Sequence, residues 1–165
     1  MRGVHSRRLH FMFAFALLAA FPAAPAPVAA QTPASPLESE FIFELVLEID
    51  TQLDAGHVRI APVTGGTFSG PGIRGTVHPG GADWITQVAG RSSLDVRITL
   101  ETDDGEIIFM SYTGVIAPGE EGLYWRVRPV FSTASERYDW LNHIVAVGKN
   151  KDVPGRVAYD IFRIL

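Results

Sequence analysis

Ser93–Thr113 reads SLDVRITLETDDGEIIFMSYT, two alternating runs joined by a short acidic segment that ends in glycine. Leu94, Val96, Ile98 and Leu100 are apolar, and Asp95, Arg97, Thr99 and Glu101 between them are polar. A period of two identifies a strand with one apolar face. Glu106–Thr113 repeats the pattern after Asp104-Gly105, so the stretch predicts a β-hairpin. An Asp-Gly pair suits a two-residue type I′ turn, whose central positions both need positive φ. A two-residue loop sets Arg97 opposite Tyr112 and Thr99 opposite Met110. Asp95 shares the face of Arg97. Asp95, Arg97 and Tyr112 then make one polar cluster, while Leu94, Val96, Ile98 and Phe109 point the other way. A three-residue loop would shift the register and break that cluster.

The same reading extends outward. Phe41, Phe43, Leu45, Leu47 and Ile49 alternate with Ile42, Glu44, Val46 and Glu48, a strand with a strongly apolar face. Further short strands are predicted at 57–63, 73–78, 84–88, 123–131, 143–147 and 157–164, with Pro129 at an edge or bulge. Ala134–Leu141 has room for one helical turn. Sixteen glycines and eleven prolines supply the tight turns between them. Many short strands with almost no helical periodicity predict an all-β fold, a sandwich or a small antiparallel β-barrel in one domain.

The first thirty residues lie outside that fold. Arg2, Arg7 and Arg8 precede an apolar run from Phe11 to Phe21, and Val28-Ala29-Ala30 forms a small-residue cleavage signal. This order predicts a signal peptide over 1–30, by the Sec or the twin-arginine route, and a periplasmic or secreted mature protein. Residues 31–39 form a Pro/Ser/Ala linker, and 40–165 the barrel domain. The leader holds three of the 14 Lys+Arg and none of the 18 Asp+Glu, which leaves 11 against 18 and a formal net charge of −7. No basic cluster is present, which argues against nucleic acid and against a membrane surface after cleavage. The absence of cysteine excludes thiol nucleophiles and Cys-ligated metals.

Two motif matches fail on their context. Gly70-Pro71-Gly72-Ile73-Arg74-Gly75 matches the dinucleotide fingerprint, but Thr76-Val77-His78-Pro79 follows where a helix N-terminus is needed. Ser69 misses the nucleophile-elbow spacing by one residue. His57, His78 and His143 are widely spaced with no paired-ligand motif, so no metal and no cofactor are called.

Thr64-Gly65-Gly66-Thr67-Phe68, Arg74-Gly75-Thr76-Val77, Pro79-Gly80-Gly81-Ala82-Asp83-Trp84, Thr102-Asp103-Asp104-Gly105 and Tyr138-Asp139-Trp140-Leu141-Asn142 with Val147-Gly148 stand together in one order. Jointly they resemble the domain of unknown function 3237 family, from about Phe41 to the C-terminus. The leader departs from that family's pattern. The resemblance implies a small barrel of the calycin or allene-oxide-cyclase kind, without a settled activity, and locates a site without naming its chemistry.

The charged face of the hairpin is either plain solvated surface or the wall of a ligand-holding lumen. On the lumen reading, Asp83, Arg97 and Tyr112 are the catalytic candidates, with Asp83 as general base beside the Trp84 indole and two close-approach glycines. Arg74, Trp84, Asp95, Trp140 and Asn142 are the substrate-binding candidates. The alternative for Asp83 is a turn aspartate capping its own loop, and for Tyr138, Trp140 and Asn142 a structural corner. The expected function is acid–base chemistry without cofactor on a small aromatic or carboxylated molecule. A non-catalytic small-molecule-binding barrel and a homo-oligomeric structural protein are the alternatives.

Overall fold

In the computed structural model, residues 34–120 and 122–165 are described, and the expected leader falls outside them. Ten strands follow in chain order: β1 (Ser39–Ile49), β2 (Leu53–Asp54), β3 (Val58–Gly70), β4 (Ile73–Val77), β5 (Gly81–Val88), β6 (Arg91–Thr102), β7 (Ile107–Gly119), β8 (Gly122–Thr133), β9 (Ala146–Lys151) and β10 (Val157–Ile164). A 3-10 helix spans Asp139–His143.

Neighbouring strands pair antiparallel in the order β1-β10-β9-β8-β7-β6, and β3 pairs β1, closing the sheet into an eight-position barrel. The position between β6 and β3 is filled twice. β4 occupies one end of it, pairing Thr67↔Thr76 and Val77↔Leu100, and β5 the other, pairing Ala61↔Asp83 and Asp83↔Val96. Closure pairs most strands on both sides, β8 and β9 meeting only at Arg126 and Val127.

Alternation puts Leu45, Leu47, Leu94, Val96, Ile98, Leu100, Ile108, Met110 and Ile161 inside, all at most 1% exposed. At one end Phe43 meets Phe68 at 5.6 Å and Phe131 at 5.9 Å, both edge-on. That end is a filled core. The β1 reading needs one correction. A β-bulge between Phe41 and Phe43 resets the parity, so Ile42 and Phe43 are both buried and Phe41 is exposed.

The hairpin also differs from expectation. Thr102 and Glu106 close a three-residue loop, Asp103-Asp104-Gly105, through Thr102 N–H donating to Glu106 O at 3.0 Å. Gly105 N–H donates to Thr102 O at 2.8 Å, and only Gly105 has positive φ, at 85°. The extra loop residue moves the register by one, so Val96 pairs Tyr112 and Arg97 pairs Ser111. Tyr112 therefore faces inward with Val96, and Phe109 faces outward.

Two smaller differences have local causes. Pro129 pairs Tyr112 inside the sheet, yet β9 pairs β8 only at Arg126 and Val127, so its missing N–H costs no ladder bond. β9 lies at 146–151 instead of 143–147. Its inward position Gly148, where a Cβ would press on Val127 and Ile161, gives no apolar alternation to read.

Candidate functional site

The end of the barrel away from Phe43 is not filled. A cavity of about 170 Å³ opens there, walled by Leu47, Val63, Ile85, Leu94, Ile116 and Val157. Asp83 reaches it because β5 alternates Gly81, Asp83, Ile85 inward and Ala82, Trp84 outward. The β5–β6 ladder pairs Asp83↔Val96 and resumes at Thr86↔Ser93. Between those pairs the Asp95 amide donates to Asp83 Oδ1 at 3.3 Å.

Asp83 is buried, 9% exposed, and makes no ion pair among the described residues. Burial pushes its pKa up to about 7; the Asp95 amide pulls it back, and the Asp95 carboxylate raises it again. Tyr112 and Tyr159 stand beside it, their rings 5.7 Å apart and edge-on. Burial, then Tyr159 and Asp83, hold the Tyr112 phenol well above its ordinary range. Burial and then the Asp83 carboxylate do the same for Tyr159. Both phenols stay protonated donors at neutral pH. Trp125 packs edge-on against Tyr159 at 5.8 Å, and its buried Nε1–H and the Tyr112 phenol both turn to the Tyr159 oxygen.

The structure thus brings together two of the expected catalytic residues, Asp83 and Tyr112, and separates the third. The Arg97 side chain is 55% exposed on the outer face, over the Trp84 ring at 5.5 Å and 3.5 Å from Asp95. Arg97 and Asp95 are corrected to the outer surface because β6 turns Leu94, Val96 and Ile98 inward, and Trp84 because β5 turns Asp83 and Ile85 inward. Arg74 is also outside, 3.9 Å from exposed Asp103. Trp140 packs partly buried against the core. Asn142 Oδ1 accepts Thr133 N–H at 2.9 Å and its Nδ2 donates to Thr133 O at 2.9 Å, a structural corner. None of these three lines the Asp83 cavity.

Tyr159, Trp125 and Arg59, which lines the cavity mouth, were not among the expected site residues. Strand parity was the signal available: Trp125 and Val127 share a face, as do Arg59, Ala61 and Val63. The glycines of the rejected fingerprint have a packing reason. A Cβ on Gly70 would collide with Ile42 O, and one on Gly75 with Glu101 O, so strands cross closely there. Ser69 lies exposed on β3, His78 pairs with Glu101, and His143 pairs with Asp139 at 3.2 Å.

The family model for Protein of unknown function (DUF3237) matches residues 37–164. The chain belongs to this family. A UPF0311 protein of Rhodopseudomonas palustris is 30% identical over 149 residues, covering 78% of this chain and 97% of that protein. The crystal structure of a beta-barrel like protein from Acinetobacter baumannii superposes with TM-score 0.72 and 30% identity, over 82% of this chain and all of that one. A hydroalkoxylation enzyme of Penicillium herquei is 31% identical over 119 residues, covering 69% of this chain and 74% of its own length. One relative of this chain is thus named for a chemical reaction.

Proposed function

We propose that this DUF3237 barrel is a cofactor-independent acid–base enzyme acting on a small aromatic molecule, with Asp83 as the group that moves the proton. One observation carries the reading: a carboxyl buried in the mostly apolar wall of an open-ended cavity, beside two neutral phenols. Placing a carboxyl there is costly to the fold and brings its titration close to neutral pH, where proton transfer is most effective.

The Penicillium relative is named for hydroalkoxylation, the addition of an O–H across a carbon–carbon double bond. That reaction moves one proton from oxygen to carbon and forms one C–O bond, with no net redox change. A single carboxyl can serve both halves, giving its proton to the alkene carbon and taking one from the attacking hydroxyl. Tyr112, the phenol that lines the cavity, would hold the substrate oxygen by donating to it, with Tyr159 behind it.

The test is incubation with 2-allylphenol, which carries the hydroxyl and the alkene in one molecule, followed by product analysis. The expected product is the ring-closed ether, formed equally by Arg97→Ala because Arg97 lies outside the barrel. Retention of substrate at the buffer rate across hydroxyaryl alkenes would remove this reading and leave a binding barrel.

Export belongs to the same proposal. Residues 1–30 carry the leader pattern, and sequencing of the mature protein from the periplasmic or culture fraction is expected to begin at Gln31. An uncleaved cytoplasmic protein would overturn it.

A further inference from the structure

Arg59 stands at the open end of the Asp83 cavity. It occupies the inward parity of β3 with Ala61 and Val63, and it pairs Ile85 across β5, while Ala61 pairs Asp83. Arg59 and Asp83 are thus diagonal neighbours on the lumen face, with Cβ atoms roughly 7 Å apart by sheet geometry. Arg74, Arg97, Arg137, Lys151, Arg156 and Arg163 each sit within 4 Å of a carboxylate. Arg59 has no such partner among the described residues, nor have Arg91, Arg126, Arg128 and Lys149, but of these five only Arg59 lines the Asp83 cavity. Its cross-strand neighbour Asp54 accepts Gly56 N–H at 2.8 Å instead.

Gln52 and Ser92, both uncharged, also line the cavity, and the Asp54 carboxylate stands across the ladder from Arg59. The cation therefore faces the opening of an apolar cavity in a mature chain of net charge −7, where the wider field repels anions. A cavity of about 170 Å³ is slightly larger than the roughly 150 Å³ that takes a benzene ring. From these placements we propose that Arg59 is a specificity-determining anion anchor: the ligand is a single-ring aromatic acid whose ring enters the cavity and whose carboxylate, left at the mouth, meets the Arg59 guanidinium. This rests on the small-aromatic reading above and supplies its substrate class. Arg59 positions the ligand, and Asp83 acts at the inner end.

The planar guanidinium fork suits a carboxylate in two-point contact, better than a point ammonium. Exposure at the rim screens the pair, so the effect is moderate and salt-dependent.

The experiment is equilibrium binding of benzoate and of its neutral analogue benzamide to the mature protein, read by thermal shift and by Trp fluorescence at about pH 6, where Asp83 is mostly neutral. Wild type is expected to prefer benzoate by roughly fivefold, with the preference shrinking in high salt. Arg59→Met keeps the stem and is expected to bind both probes alike, while Arg59→Lys keeps part of the preference. Asp83→Asn is expected to retain the benzoate preference.

Failure of wild type to bind benzoate, equal affinity for both probes, or a benzoate preference surviving in Arg59→Met would each overturn the anchor. These readings involve no turnover. Loss of the anchor with ring closure intact would therefore sink only this inference, and an intact preference without product would sink only the enzymatic reading.

Discussion

Asp83→Asn is expected to lower kcat/KM by roughly 10²–10⁴-fold, the usual contribution of a positioned general acid–base group, while making the protein more stable at alkaline pH. The two effects have one cause. Burial holds the carboxyl's pKa at about 7 in the fold, against the ordinary carboxylate value of about 4 in the unfolded chain. Below about pH 4 both states bind the proton and the group leaves stability unchanged. Between about pH 4 and 7 the unfolded state releases the proton and the folded state keeps it, so stability falls as pH rises. Above about pH 7 the full penalty is present, on the order of 4 kcal/mol for a shift of about three units. Asn mimics the neutral carboxyl and can still accept the Asp95 amide. Urea melts at about pH 4 and pH 8 are expected to show near-equal stability at the first and a large gain for Asp83→Asn at the second. If the donor to carbon is the protonated carboxyl, wild-type kcat/KM falls as pH rises through about 7. A variant with wild-type turnover, or no stability gain at pH 8, would remove Asp83 from this role.

Phe43→Ala is expected to destabilise the barrel by about 3–5 kcal/mol, the range for deleting a fully buried aromatic ring. Phe43 is 0% exposed and lies edge-on to both Phe68 and Phe131, so three rings lose contacts together. Backbone from β1, β3 and β8 holds those rings in a closed barrel, which limits collapse into the space left. Thermal melting is expected to fall by roughly 10 °C or more. A loss under about 1 kcal/mol would mean that the filled end contributes less to the fold than its packing indicates.

A buried carboxyl and a tightly packed aromatic end are complementary. The filled end supplies stability that the open end gives up by burying the Asp83 carboxyl. Gly70 and Gly75 belong to the scaffold side. Their resemblance to a nucleotide motif reflects how closely the β3–β4 corner approaches β1 and β6.

Asp83 was legible only as a carboxyl beside an indole and two glycines, with a turn aspartate as the alternative, because the strand was expected to begin at Trp84. β5 begins at Gly81, which turns Asp83 inward and Trp84 outward. The alternations in 41–49 and 93–113 were enough to specify all-β architecture, because a strand's side chains must follow a period of two. The family motifs pointed to the same barrel. Tyr159 and Trp125 were legible only as apolar-side residues, since nothing local says which inward positions border an empty end and which a filled one. Asn142 could be read as wall or corner until its two bonds to Thr133 were seen.

By itself the sequence determined most of the strands, the all-β class and the acidic, cysteine-free character of the chain. Tertiary structure alone decided that Asp83 points inward and which polar groups meet it. One additional loop residue at Asp103-Asp104-Gly105 sends Tyr112 inward and leaves Arg97 outside, because a single-step slip in register carries a side chain to the opposite face of the sheet. Arg59 follows the same logic from the far side of the barrel: its neighbours across the cavity come from strands distant in the chain, and only closure of the sheet brings them together.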